Sequence, residues 1–187
     1  MLRKIDGRLD GSFPTVADYY RGKGWRARLI MPFTKFLRGV QVKAFMAPKD
    51  RHLDIGCGDG YFLKNSPCRD CWGIDLIYGD RFDDALAFAD DFFDYVTMLA
   101  VLEHLVRPAQ VFREVHRVLR PGGKFIFTTP KAKGEWIMHL YAGKEGLNHY
   151  HYYDREIVQE LSQGLFHMEA ARTFLFGLNQ VFSLIKI

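Results

Sequence analysis

The run Leu53-Asp54-Ile55-Gly56-Cys57-Gly58-Asp59-Gly60-Tyr61-Phe62 constrains this chain more than any other segment. A short apolar strand ends in three glycines at alternate positions and passes directly into the start of a helix. Glycine tolerates positive φ and puts no Cβ between backbone and ligand, so such a turn can bring main-chain N–H groups against a flat, bulky nucleotide. The spacing is GxGxG. A dinucleotide-binding turn has GxGxxG, with its last glycine packing the helix on the sheet; that register puts Tyr61 at the last glycine. The spacing therefore argues against a nicotinamide cofactor. An ordinary tight loop between strand and helix is the plain alternative.

From residue 51 onward, short apolar runs alternate with helical stretches. That alternation predicts a parallel sheet covered by helices. The strands are expected at Leu53 to Ile55, Trp72 to Asp75, Tyr95 to Met98 and Lys124 to Thr128. A helix is expected from about Arg107 to Leu119, with Pro108 in its first turn and Arg120-Pro121-Gly122-Gly123 as a stop before the next strand. Pro67 cuts short the helix that follows Gly60. Near the end of the chain, Thr173 to Phe176 and Val181 to Ile185, split by Gly177-Leu178-Asn179, predict an antiparallel pair closing the sheet.

Further blocks follow the glycine turn in a set order. Gly73-Ile74-Asp75 ends the second strand in an acid, whose oxygens suit the two hydroxyls of a ribose. Then come Asp83-Asp84-Ala85-Leu86-Ala87-Phe88, Phe93-Asp94-Tyr95-Val96, Leu102-Glu103-His104-Leu105 and Leu119-Arg120-Pro121-Gly122-Gly123-Lys124-Phe125. Over about residues 50 to 130 this series resembles the class I S-adenosylmethionine-dependent methyltransferases, in particular the small-molecule group that includes the quinone-biosynthesis enzymes. The resemblance implies an α/β fold: a Rossmann-like, doubly wound, mostly parallel seven-stranded sheet whose last strand is antiparallel. It implies S-adenosylmethionine as cofactor and S-adenosylhomocysteine as product. Asp54, Gly56, Cys57, Gly58 and Gly60 would hold the methionine and ribose parts. Asp75 would bind the ribose, Asp83 or Asp84 the adenine amino group, and Leu99 would also border the cofactor. The chain departs from the family between Asp75 and Phe93, where there is hardly room for the usual helix; the fold is trimmed after the second strand, and Ile77 or Tyr78 would supply apolar cover.

Methyl transfer to oxygen needs a proton acceptor, and a histidine titrating near neutrality suits that task. His104 follows the fourth strand, near the carboxyl ends where ligands collect in such sheets. His149 and His151, in Asn148-His149-Tyr150-His151-Tyr152-Tyr153-Asp154, are the other candidates for base or acceptor contact. Each has a structural alternative: His104 as a cap or loop tie, the others as turn residues ahead of a helix starting at Asp154. Two alternating histidines without a third ligand do not make a metal site. Cys68 and Cys71 form a CxxC pair that reads as two plain thiols, and the acidic run from Asp80 to Asp94 lacks the glycine and closing glutamate of a calcium loop. No metal is expected.

Of the overall charge of +4, the basic excess lies at the start: residues 1–49 carry 11 Lys and Arg against 3 Asp, and the rest carry 15 basic and 19 acidic side chains. Arg21, Lys23, Arg26, Arg28, Lys35 and Arg38 are interleaved with Leu29, Ile30, Met31, Phe33, Phe36 and Leu37, as in an amphipathic helix broken or restarted at Pro32. Residues 1–49 are accordingly taken as a basic helical cap and residues 50–187 as the methyltransferase-like domain, within one domain overall. In related chains such a helix supplies a tyrosine to the cofactor, a role for which Tyr19 and Tyr20 are available. The basic face is solvated surface, or it meets a phosphate-bearing substrate or an anionic membrane surface. Three cysteines, no signal-like run and no stretch of roughly 18 apolar residues fit a cytoplasmic setting. The expected activity is methyl transfer to an oxygen of a small-molecule acceptor. A cofactor-binding module acting through a partner is one alternative and a nucleic-acid methyltransferase another, although the strand end Met98-Leu99-Ala100-Val101 lacks the Asp/Asn-Pro-Pro-Tyr/Phe run of enzymes that methylate base amines.

Overall fold

A computed structural model describes residues 3–5, 25–49, 51–76, 85–134 and 151–187. Tyr19, Tyr20, Arg21, Lys23, Ile77, Tyr78, Asp83, Asp84 and His149 lie outside the described residues. Seven strands form one sheet: β1 (Arg3–Ile5), β2 (Arg51–Ile55), β3 (Asp70–Ile74), β4 (Phe93–Leu99), β5 (Leu119–Pro130), β6 (Phe166–Phe174) and β7 (Asn179–Lys186), in the order β1-β3-β2-β4-β5-β7-β6. The four central strands are parallel. The last strand, β7, runs antiparallel to both β5 and β6, as expected. The other edge was not foreseen: Arg3–Ile5, inside the segment taken as a helical cap, pair antiparallel with β3.

Two layers of helix cover the sheet. Helix α1 spans Trp25–Lys43, α2 Tyr61–Lys64, α3 Pro108–Val118 and α4 Arg155–Ser162. Side chains alternate across a strand, so Leu53, Ile55, Val96, Met98, Phe125 and Phe127 point toward α3 and α4, where Phe112 packs edge-on against Phe125 and Phe127. The intervening Tyr95 and Ile126 point to the opposite face, with Val42 of α1 and Phe62 and Leu63 of α2. Asp154 caps α4 by accepting from Ile157 N–H at 2.9 Å. Among the described residues no helix is long and apolar enough to cross a membrane.

Three expectations are corrected. Helix α1 is not interrupted at Pro32 but runs through it, with Pro32 itself exposed. Arg120-Pro121-Gly122-Gly123 does not separate a helix from a strand. β5 begins at Leu119, directly after α3, and the four residues bulge out opposite the single residue Asp94, since Leu119 pairs with Phe93 and Lys124 with Tyr95. Arg120 closes the bulge with a 3.0 Å ion pair to Asp94. Strand β6 starts earlier than its apolar run, at Phe166, because an edge strand exposes one face and tolerates His167, Glu169 and Arg172 there.

The shortened stretch between β3 and β4 has no regular element among its described residues 85–92. Aromatic rings pack around residues 85–92: Trp72 meets Phe88 at 5.5 Å between ring centroids, and Phe88 meets Phe93 at 4.8 Å. Arg117 of α3 fastens the segment by donating to the carbonyls of Leu86 and Phe88, both at 2.8 Å, and pairing with Asp90 at 2.7 Å. Glu114 completes the clamp by accepting from Leu86 N–H. Arg117→Met is expected to lower stability by about 1.5–3 kcal/mol, the range for hydrogen bonds to charged groups, read as a fall in the urea midpoint at constant m-value.

Candidate functional site

The glycine turn hangs from the ends of two neighbouring strands. Gly56 N–H and Cys57 N–H both donate to the carbonyl of Ile74, at 2.8 and 3.2 Å, so the chain leaving β2 hooks onto the last residue of β3. Gly56, Gly58 and Gly60 all have positive φ, between 54° and 76°. At Gly56 the requirement is also steric: a Cβ there would lie 2.2 Å from Cγ2 of Val101. Gly73, to which no role was given from sequence, is needed for a similar reason, since a Cβ on it would lie 2.8 Å from Cys57 Sγ and from Leu63 Cδ1, inside the underside of the turn.

Asp75, directly after β3, accepts from Gly58 N–H at 2.8 Å. This bond joins the two features singled out from sequence. Asp54 lies beneath it, 2% exposed, with Oδ1 accepting from the Thr97 hydroxyl at 2.6 Å. Burial pushes its carboxyl up to about 7, against the pull of the Thr97 hydrogen bond and with added repulsion from Asp75. Asp59 caps the first turn of α2 through Tyr61 N–H and pairs with Lys35 of α1 at 3.1 Å, tying the helical layer to the turn. Burial lowers the Lys35 ammonium below its usual range despite Asp59.

Leu99 ends β4 opposite Thr128, and Ala100 then takes a positive φ of 59°, turning the chain out of the sheet and laying Val101 against Gly56. A short 3₁₀ turn, Leu102–His104, follows. It separates its two titratable residues: His104 is exposed, whereas Glu103 is 1% exposed, and its Oε2 has no hydrogen-bond partner among the described residues. Burial raises the Glu103 carboxyl to about 7, partly offset by the nearby Arg38 guanidinium. Sequence reasoning passed over Glu103; the signal available was an acid in the same block as His104. The Tyr153 hydroxyl donates to the carbonyl of Leu102 at 3.2 Å, and the His151 ring stands 6.1 Å from that of Tyr153. The segment around 151–154 therefore rests against the turn carrying His104, and His151 is exposed beside it. Cys68 and Cys71 are buried free thiols near the start of β3, at the opposite end of the strand from Asp75, and burial raises both, Cys68 to about 11. Such thiols carry no appreciable thiolate at neutral pH.

A glycine turn at the end of the first parallel strand, an acid at the end of the next and a sheet closed by an antiparallel last strand define the nucleotide-binding core of a class I methyltransferase. Residues 23–164 match a methyltransferase domain family, and the chain belongs to the S-adenosylmethionine-dependent methyltransferases, whose cofactor is S-adenosylmethionine. The ubiquinone biosynthesis O-methyltransferase of Pseudomonas syringae pv. tomato is 48% identical over 119 residues, covering 50% of this chain and 51% of that protein. The corresponding enzyme of Thiobacillus denitrificans is 33% identical over 115 residues, 50% of this chain and 49% of its own. The chain thus spans about half the length of these curated relatives. Among solved structures, the complex between the Haloferax volcanii Trm112 methyltransferase activator and a methyltransferase contains a chain that superposes with a TM-score of 0.67 at 16% identity, over 92% of this chain and 97% of that one. A Thermotoga maritima S-adenosylmethionine-dependent methyltransferase gives 0.62 at 16% identity, over 87% and 94%. At such identities these two share the fold.

Proposed function

We propose that this protein transfers the methyl group of S-adenosylmethionine to an oxygen of a small-molecule acceptor. The observation that carries the reading is the 2.8 Å bond from Gly58 N–H to Asp75, which makes the glycine turn and the ribose acid one site. Similarity to the ubiquinone biosynthesis O-methyltransferases supports oxygen as the acceptor atom. S-adenosylmethionine, when bound, supplies a methyl group on a positively charged sulfonium. The remaining work falls to the chain itself. Gly56, Cys57, Gly58 and Gly60 hold the methionine and ribose parts, with Asp54 beneath them; Asp75 accepts from the ribose hydroxyls, a carboxylate having about four lone-pair sites for such bonds. Leu99 borders the cofactor, and Asp83 or Asp84 meets the adenine. His104 takes the proton of the acceptor hydroxyl, Glu103 is a buried acid in the same turn, and His149 or His151 serves as a further base or acceptor contact.

Calorimetric titration with S-adenosylhomocysteine, with NAD as control, tests the cofactor half without knowledge of the acceptor. Micromolar binding of the first and none of the second supports the reading and justifies a screen of phenols, quinols and sugar-linked intermediates by mass spectrometry. No binding of either favours a module that acts through a partner, and salt-sensitive binding of RNA or DNA favours a nucleic-acid substrate. Asp75→Ala is expected to weaken S-adenosylhomocysteine binding by about 1.5–3 kcal/mol, roughly tenfold to a hundredfold, since it removes the ribose acceptor and the tie to Gly58 together. Asp75→Asn keeps an acceptor oxygen for Gly58 and should lose less.

A further inference from the structure

His52, the second residue of β2, is fully buried between two hydroxyl groups: Nδ1 is 2.9 Å from Ser66 Oγ and Nε2 is 2.8 Å from Thr97 Oγ1. It shares a face of β2 with Asp54, and Thr97 sits directly across from Asp54 on β4. The Thr97 hydroxyl has one hydrogen, and it goes to Asp54 Oδ1 at 2.6 Å. Thr97 Oγ1 must then accept from His52, so the imidazole carries its hydrogen on Nε2. A neutral ring has an acceptor at its other nitrogen, and the Ser66 hydroxyl fills it. Ser66 Oγ in turn accepts from the backbone N–H of Cys68 at 3.2 Å. Every hydrogen in the line, from Cys68 N–H through Ser66, His52 and Thr97, points toward Asp54.

We propose that His52 is a positioning residue for the cofactor site, acting through Thr97 to hold the Asp54 carboxylate ionised and oriented beneath the glycine turn. The inference rests on the assignment of Asp54 to the cofactor. A buried carboxylate at the end of an apolar strand is otherwise poorly solvated, and a donor held on it favours the charged form. A hydroxyl free to rotate would give that donation part of the time; one whose lone pair is taken by an imidazole N–H gives it steadily. His52 serves as a neutral donor, since burial lowers its pKa to about 3. The titratable groups around Asp54 are His52 on its own strand, Cys71 of β3 and Asp75 beyond the end of β3; β4 contributes Thr97.

Thr97→Val removes the donor at nearly constant shape, Thr97→Ser retains it, His52→Leu removes the donor behind it, and His52→Gln keeps an amide N–H. Two measurements on the full chain separate the possibilities: unfolding stability against pH without ligand, and affinity for S-adenosylhomocysteine. In Thr97→Val and His52→Leu the ligand-free pH profile should shift so that Asp54 ionises at higher pH, and affinity at pH 8 should fall several-fold; Thr97→Ser and His52→Gln should restore both. An unshifted profile in Thr97→Val overturns the relay. A shifted profile with affinity unchanged, in a wild-type protein that binds, overturns the positioning role while leaving the cofactor site standing. A wild-type protein that binds no S-adenosylhomocysteine overturns the cofactor assignment, and the role of His52 falls with it. In the wild type, long-range proton–nitrogen spectra of the His52 ring should give the Nε2–H tautomer at pH 8; the Nδ1–H tautomer would contradict the direction of the line.

Discussion

Gly56→Ala is expected to abolish S-adenosylhomocysteine binding and to destabilise the fold by about 2–5 kcal/mol. Two effects add. The residue has φ 76°, a left-handed conformation costing an L-residue about 1–2 kcal/mol. The new methyl would also lie 2.2 Å from Val101 Cγ2, and forcing extra volume into a packed site typically costs about 1–3 kcal/mol. The clash can be removed separately from the strain. Val101→Ala deletes both Val101 γ-carbons and leaves its Cβ 3.2 Å from the added methyl, a contact that a small shift relieves. The double variant Gly56→Ala/Val101→Ala should therefore recover the steric part of the loss and keep the conformational part, in denaturant midpoints and in calorimetry alike. Equal stability of Gly56→Ala and wild type would mean that the turn does not have this geometry.

The ligand-free protein should lose stability as pH rises from about 4.5 to 7. Asp54 and Glu103 are almost fully buried, and each carboxyl is raised to about 7 from ordinary values of 3.8 and 4.5. Between those limits the folded state holds protons that the unfolded chain has released, so stability is full at the acid side and lost on ascending through the folded values. At about 1.4 kcal/mol per pKa unit, Asp54 accounts for about 4 kcal/mol and Glu103 for about 3. His52 works in the opposite sense: lowered from 6.5 to about 3, it refuses a proton that the unfolded chain accepts, and stability is lost as pH falls from 6.5. Two carboxyls against one imidazole leave a net decline with rising pH above about 4.5. Asp54→Asn should flatten the slope and raise the unfolding midpoint at pH 8, at the expense of cofactor affinity. A flat profile in the wild type, or an unchanged slope in Asp54→Asn, would show that Asp54 is not enclosed.

Several parts of this architecture were legible because they are local. A strand passing into alternate glycines has few other uses, and the acid ending the next strand is tied to the first turn by the register of two adjacent parallel strands. The antiparallel pair at the end followed from two apolar runs and a glycine between them. The Pro67 stop held as well: α2 closes at Lys64. By contrast, α1 continues through Pro32 against a local helix-breaking signal, and the pairing of Arg3–Ile5 with β3 depends on an edge left open more than sixty residues away.

The histidines mark the boundary most clearly. From sequence, His104 stood out as the candidate base, and His52, just ahead of the expected strand, was given no role. The positive φ at Ala100 and the 3₁₀ turn after it send Glu103 inward and His104 outward; neither rotation is written in residue type. His52 acquires its partners only when Ser66 arrives from the loop after α2 and Thr97 from β4. The sequence by itself determined the order of elements, the glycine turn and the acids at the strand ends, because those depend on residues a few positions apart. The tertiary structure decided which titratable groups are sealed from water and what each is bonded to, because desolvation and hydrogen bonding depend on neighbours that only the completed sheet brings together.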